Sequence, residues 1–283
     1  MAATPRPRRS ALYMPASNPR AVEKARGLDC DVVILDLEDA VLPEAKDAAR
    51  EAAVAAVRAG GFGPREVVVR VNALDTPWGA ADLAALAKVS PDAVLAPKIT
   101  RPRDVTAYAA AFPGTIWAMI ETAPALFALD AIAGASPRLA ALVMGLNDLA
   151  REMGARQTPE RTPFFAALSL TVAAARSHGL AALDSVHNDI ENLDSLAVAC
   201  RQGADFGFDG KSLIHPSHLA IANDIFSPDP RELAWSRAVI AAFDARENAG
   251  KGALRVEGRL AERLHRDQAV RLVEIAERIE ART

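Results

Sequence analysis

The chain has 283 residues, 51% of them hydrophobic and 24% charged, with a formal net charge of −3. That balance provides for a sizeable core and excludes a disordered chain. The basic residues are scattered rather than gathered into an aromatic-interleaved patch, which argues against a nucleic-acid partner. No run approaches the about 18 uninterrupted apolar residues of a membrane span. The basic start, Thr4-Pro5-Arg6-Pro7-Arg8-Arg9, leads into no signal-peptide apolar stretch and reads as a frayed tail. Cys30 and Cys200 stand far apart in apolar settings, as suits reduced thiols of a cytoplasmic protein.

In chain order, β-rich runs recur at Ala11 to Met14, Asp31 to Leu37, Glu66 to Val71, Ala93 to Ala96, Thr115 to Ile120, Leu139 to Met144, Ala181 to Val186 and Phe206 to Leu213. Between them lie Ala-rich stretches with helical spacing: Pro43 to Ala59, Trp78 to Lys88, Pro102 to Ala111, Pro124 to Ile132, Pro163 to His178 and Ile190 to Gln202. Proline sits at or near many of these starts, where a first helical turn tolerates it. Eight strands alternating with helices predict a parallel (β/α)8 TIM barrel. A doubly wound open sheet is the alternative, but Pro15-Ala16-Ser17-Asn18 after the first strand is no glycine-rich dinucleotide loop. Beyond Asn223 the pattern changes to a helix over Pro230 to Asn248, a turn at Gly250-Lys251-Gly252, a short extended piece at Leu254 to Val256 and a last amphipathic helix. The division predicted is a barrel over 1–225 and a helical extension over 226–283 that packs on the barrel or on a neighbouring subunit.

Barrel chemistry collects where strands feed into the following loops. The expected ends carry Asp36-Leu37-Glu38-Asp39, Arg70-Val71-Asn72, Pro97-Lys98, Glu121-Thr122, Asn147-Asp148, His187-Asn188 and Asp209-Gly210-Lys211. Helix capping is an equal reading for Thr122 and Asn188 but explains Glu38, Glu121 and Arg70 less well. Arg70 ends the apolar run Val67-Val68-Val69 and, once buried, requires carboxylates or an anionic substrate. Glu121 and Asp148 lie 27 residues apart, one strand-plus-helix unit, so two neighbouring strand ends would offer oxygen ligands to one hard cation such as Mg2+. Such an ion would act as a Lewis acid, polarising a carbonyl and stabilising an enolate. Zinc is a poor fit, since no two histidines have ligand spacing and both cysteines are isolated. Lys98 has two readings, a Schiff-base lysine or the ion-pair partner of a site acid.

These residues, with Leu12-Tyr13-Met14-Pro15, Gly145-Leu146-Asn147-Asp148-Leu149 and Gly207-Phe208-Asp209-Gly210-Lys211-Ser212-Leu213-Ile214-His215-Pro216, give the chain a resemblance along nearly its whole length. It resembles the citrate lyase β-subunit-like group of the HpcH/HpaI aldolase superfamily, which includes malyl-CoA, β-methylmalyl-CoA and citramalyl-CoA lyases. The resemblance implies a Mg2+-dependent (or Mn2+-dependent) trimeric enzyme in which Glu121 and Asp148 ligate the metal. Arg70 would hold the substrate's carboxylate or thioester end, and Glu38 and Asp39 would support the metal waters. Tyr13, Arg20, Lys24, Ile214 and His215 would contact the substrate or coenzyme A, with a solvated helix face as the plain alternative for Arg20 and Lys24. Lyases of this group carry a C-terminal glycine followed four residues later by an aspartate that serves the neighbouring subunit as acid or base. Here Gly258 is followed by Glu262 and then Arg263 in place of the usual proline; the plain alternative for Glu262 is a first-turn acid of the last helix.

The function this implies is carbon–carbon cleavage of a 3-hydroxyacyl-CoA thioester bearing a second carboxylate. Three rivals stand beside it: a malyl-type thioester hydrolase, an aldolase acting on pyruvate or oxaloacetate without coenzyme A, and a subunit that docks an acyl carrier protein through Arg6, Arg8, Arg9, Arg20 and Lys24.

Overall fold

The computed structural model describes residues 6–282. Strands β1 (Ser10–Pro15), β2 (Val32–Asp36), β3 (Glu66–Arg70), β4 (Ala93–Ala96), β5 (Ile116–Ile120), β6 (Leu139–Met144), β7 (Ala181–Asp184) and β8 (Gly210–Leu213) close into one parallel barrel in sequence order. The helices are α1 (Pro19–Ala25), α2 (Lys46–Ala59), α3 (Gly79–Leu86), α4 (Pro102–Ala111), α5 (Ala123–Leu126), α6 (Leu129–Ala133), α7 (Leu146–Met153), α8 (Phe165–Ser177), α9 (Leu193–Phe206), α10 (Leu219–Ile225), α11 (Pro230–Asp244) and α12 (Arg263–Glu280). The TIM-barrel expectation is met.

The strands are apolar on both faces because each side packs on something. Ala11, Val32, Ile34, Val68, Leu95, Trp117, Met119, Val143 and Leu183 form one cluster, which alternation places inside the barrel. Their neighbours, such as Leu12, Val33, Leu35, Val69 and Val94, join the larger cluster between sheet and helices. Continuing the inward parity beyond the apolar layer brings Tyr13, Asp36, Arg70, Glu121 and Ser185 to the C-terminal mouth. The core therefore ends in a ring of polar side chains.

The opposite end is closed by residues read from sequence as a frayed tail. Arg8 pairs with Glu66 at 2.8 Å and lies 4.8 Å above the Trp117 ring, while buried Arg9 donates from Nε to Asp31 at 2.9 Å. Burying Glu66 and Asp31 demands partners, and the segment supplies them; Thr4 and Pro5 lie outside the described residues. The barrel closes by β1 on β8, and Asn223 of α10 ties the helix after β8 to the start of β1 and the loop before β2: it accepts from Ser10 Oγ at 2.7 Å and donates to the Asp29 carbonyl at 2.7 Å.

Several boundaries differ from expectation. The run Phe206 to Asp209 is not strand: Phe206 ends α9 and Gly207, at φ 91°, takes the left-handed turn that terminates it. The helix predicted over Pro124 to Ile132 divides into α5 and α6, and α7 and α10 appear where no helix was assigned.

The chain forms two compact units, Arg8–Phe226 and the segment from Ser227 onward, with which Arg6 and Pro7 group. The second unit has its own small core of Val239, Phe243, Val256, Ala261 and Ala269. It contains a hairpin, β9 (Ala253–Val256) against β10 (Arg259–Glu262). Glu257 and Gly258 at its tip both have positive φ, 49° and 83°, as a two-residue type I′ turn requires.

Candidate active site

Asp36 and Arg70 end adjacent strands in direct register. Arg70 donates from Nε to Asp36 Oδ1 at 2.7 Å and from Nη2 to Oδ2 at 2.6 Å, a bidentate pair buried at the mouth. The guanidinium lies 4.9 Å over the Tyr13 ring, which fixes its plane. Burial alone would ease its proton off, but Asp36 and the neighbouring acids hold it firmly charged. Its third nitrogen, Nη1, reaches Asp39 at 3.2 Å and Glu38 Oε2 at 2.9 Å, the latter a charge contact without hydrogen-bond alignment. Buried Lys46 holds the loop between them by donating to the carbonyls of Leu37 and Glu38 at 2.8 and 2.6 Å.

Glu121 follows β5 and continues the inward row of Trp117 and Met119. Its Oε1 accepts the Lys98 backbone N–H at 2.7 Å, whereas Oε2 is buried with no hydrogen-bond partner. Gly145 leaves the space for it: a Cβ there would stand 2.7 Å from that orphaned oxygen. Asp148 sits in the first turn of α7, where a carboxylate is favoured, and pairs with Arg151 at 2.5 Å. Lys98 spans both acids, its Nζ 2.7 Å from Asp148 Oδ2, 3.4 Å from Glu121 Oε1 and 3.9 Å from Glu38 Oε1.

Burial pushes Glu121 up, with Lys98 opposing and Asp148 adding to the rise. Burial acts likewise on Asp148, but Lys98 and Arg151 outweigh it and hold that carboxyl low. Glu38 is pushed up to about 8 by burial first, with Arg70 opposing and Glu121 and Asp39 adding. The cluster therefore contains an ionised acid, Asp148, and a neighbour inclined to keep its proton, Glu38.

These groups surround a cavity of about 380 Å³ lined by Tyr13, Pro15, Asp36, Asp39, Ala40, Arg70, Met119, Glu121, Met144, Gly145, Asn147, Asp148, Ser185, Val186, Ser212 and Ile214. Among the described residues no three His, Cys, Asp or Glu side chains form a metal cage. The all-oxygen pair with its unsatisfied Glu121 Oε2 nonetheless fits Mg2+, which takes one or two carboxylates and keeps several waters.

The structure brings Arg70, Glu38, Asp39, Glu121, Asp148, Tyr13 and Ile214 together. His215 does not line the cavity; its Nδ1 meets Ser217 Oγ at 2.7 Å. Arg20 and Lys24 are exposed one turn apart on α1. Glu262 belongs to the second unit, where it is exposed and precedes α12, its N–H donating to His265 Nδ1 at 2.9 Å.

Other expectations are corrected. Asp209 and Lys211 are not at the mouth: Asp209 precedes β8 and accepts from Arg176 at 2.8 Å. Lys211 is wholly buried against Asp184 at 2.8 Å, which Arg161 also contacts at 2.7 Å. Gly210 starts that strand because a Cβ would stand 1.9 Å from the Arg8 carbonyl oxygen. Neither Thr122 nor Asn188 caps with its side chain. Thr122 donates to the Ile99 carbonyl, Asn188 bonds Asn147, and Asn192 caps α9 instead. Arg8 and Arg9, docking charges in the carrier-protein reading, are engaged in ion pairs with Glu66 and Asp31. Asp36 and Gly145 are two site residues to which the strand-end reading gives no role; the inward parity of β2, Val32, Ile34 and Asp36, carries the signal for the first.

Residues 9–216 match the HpcH/HpaI aldolase/citrate lyase family. A (3S)-malyl-CoA thioesterase of Cereibacter sphaeroides is 47% identical, with 94% of this chain and 93% of that protein covered. An L-malyl-CoA/beta-methylmalyl-CoA lyase of the same species is 32% identical over 98% of this chain and 96% of that one. Among solved structures, the CitE protein of Mycobacterium tuberculosis in complex with magnesium, acetoacetate and coenzyme A superposes with a TM-score of 0.75. It is 32% identical and covers 98% of this chain and 100% of its own.

Proposed function

The chain belongs to the HpcH/HpaI aldolase/citrate lyase family, and from that premise we propose a divalent-metal-dependent thioesterase acting on a malyl-type 3-hydroxyacyl-CoA. The observation that carries this reading is the Glu121 and Asp148 carboxylate pair sharing one cavity with Arg70. The higher identity to a malyl-CoA thioesterase than to a malyl-CoA lyase, 47% against 32%, favours hydrolysis as the outcome.

In this reading Glu121 and Asp148 hold Mg2+, or Mn2+ in its place, and the bound ion supplies Lewis acidity toward a substrate carbonyl. Arg70 has two nitrogens committed to Asp36, so Nη1 is the one that receives the substrate's carboxylate. Protonated Glu38 donates a hydrogen bond beside it instead of repelling the anion. Asp39 orders water at the rim. Arg20 and Lys24 offer cationic contacts to the phosphates of coenzyme A, and Ile214 and His215 flank its path. Glu262 of a neighbouring subunit in a homotrimer supplies the carboxylate that moves the proton. Cys30 and Cys200, both free and buried, suit a reducing cytoplasm.

The second reading, carbon–carbon cleavage of the same thioester, is favoured by the carboxylate retained at Glu262. Product analysis separates the two. Hydrolysis of malyl-CoA releases a free thiol and malate, whereas cleavage releases acetyl-CoA and glyoxylate. Absence of any metal-dependent turnover of the thioester would overturn both.

A further inference from the structure

Lys98 is held in an unusual way. It is one of four described non-glycine residues with positive φ, at 52°, a conformation that a scaffold must impose. The strain turns its N–H onto Glu121 Oε1 at 2.7 Å and sends its ammonium back across the same acid to Asp148 Oδ2 at 2.7 Å. Yet the buried Nζ has no aligned hydrogen bond. It is held by charge alone, at the position where the two proposed metal ligands converge.

A divalent cation bridging Glu121 and Asp148 would compete with the ammonium for Asp148 Oδ2. We propose that Lys98 is an internal placeholder: its ammonium neutralises Asp148 and Glu121 when no ion is bound, and an incoming divalent cation displaces it onto Glu38. Glu38 Oε1 is already 3.9 Å away, its Oε2 lacks an aligned donor, and the Lys98 side chain, 31% exposed, has room to swing. Lys98 is thus a positioning residue that sets metal affinity and prevents Glu121 and Asp148 from repelling one another in the empty site. This rests on the metal reading of Glu121 and Asp148.

The test is titration of MgCl2 into chelator-stripped full-length protein by calorimetry. Lys98→Met keeps the backbone N–H and the stem but removes the charge. It is expected to tighten Mg2+ binding by about tenfold or more, within the range of ordinary coupling between ligands, while lowering the thermal midpoint of the metal-free protein, which Mg2+ then restores. Lys98→Arg keeps a cation on a less mobile head and is expected to bind Mg2+ several-fold more weakly than wild type, which keeps the idea testable if Lys98→Met fails to fold. Wild-type affinity, or weaker, in Lys98→Met overturns the placeholder alone, as does equal or tighter binding in Lys98→Arg. No Mg2+ binding by the wild type overturns the metal reading and the placeholder with it.

Discussion

Gly145 and Glu121 are fitted to one another: a Cβ on the glycine would stand 2.6 Å from Glu121 Cβ and 2.7 Å from its Oε2. The backbone at Gly145 has φ −119°, so the glycine is present for space and not for conformational freedom. Overpacking of this kind costs about 1–3 kcal/mol, and Glu121 can relieve it only by leaving its place. If about 1.4 kcal/mol of it falls on the bound state, ion affinity drops tenfold. Gly145→Ala is therefore expected to weaken Mg2+ binding by about that factor, measured by calorimetry, with a lowered unfolding midpoint.

Arg70 serves Asp36 and the cavity with one fork. Lysine reproduces the charge but not the bidentate geometry, the stacking on Tyr13 or the third nitrogen. Arg70→Lys is expected to lower kcat/KM for a malyl-type thioester by roughly 100-fold, the scale of a reacting group misplaced by about 1 Å. Steady-state kinetics at saturating Mg2+ check this, and wild-type kcat/KM would remove Arg70 from substrate binding.

Glu38 gives the metal-free protein a pH dependence. Burial raises its folded value to about 8, against Arg70, whereas an unfolded glutamate titrates near about 4.3. The folded state holds the proton more tightly, so this contribution is full below about 4.3 and is lost as pH rises toward about 8. In the presence of chelator, the thermal midpoint of the wild type should fall across that interval. Glu38→Gln, which cannot ionise, should flatten the slope; an unchanged slope would place the titration elsewhere.

Asp184 acts with the opposite sign. Burial would raise it, but Lys211 and Arg161 outweigh burial and hold it below the usual carboxylate range. Its contribution is present above the unfolded value of about 3.9 and lost as pH falls below it. Asp184→Asn strands the wholly buried Lys211 and is expected to cost about 3–5 kcal/mol at neutral pH. Urea unfolding should show the gap between mutant and wild type narrowing in acid.

Strands β1 to β7 were legible because each is a short, largely apolar run with few competing periods, and the Glu121 and Asp148 spacing follows from the strand-plus-helix unit alone; β8, Gly210-Lys211-Ser212-Leu213, was placed by the alternation. What escaped was set by neighbours in space. Phe206-Gly207-Phe208 reads as strand until Gly207 is seen to turn a helix off. Lys211 looks like a rim residue until the register pairs it with Asp184, outside the barrel. Half of the C-terminal hairpin, Arg259–Glu262, was invisible because three of its four residues face solvent and carry no apolar alternation. Lys98 was weighed as nucleophile or ion-pair partner; its left-handed backbone, imposed by the fold, is what aims it at two acids at once.

Ser10 and Asn223 join residues 213 positions apart in the chain. The β1–β8 seam has three paired residues, and Tyr13 and Ile214, at the mouth, belong to the two strands it joins or to their immediate continuation. Through Ser10 and Asn223 the helix that follows the last strand is tied to the start of the first, at the end of the barrel opposite the mouth.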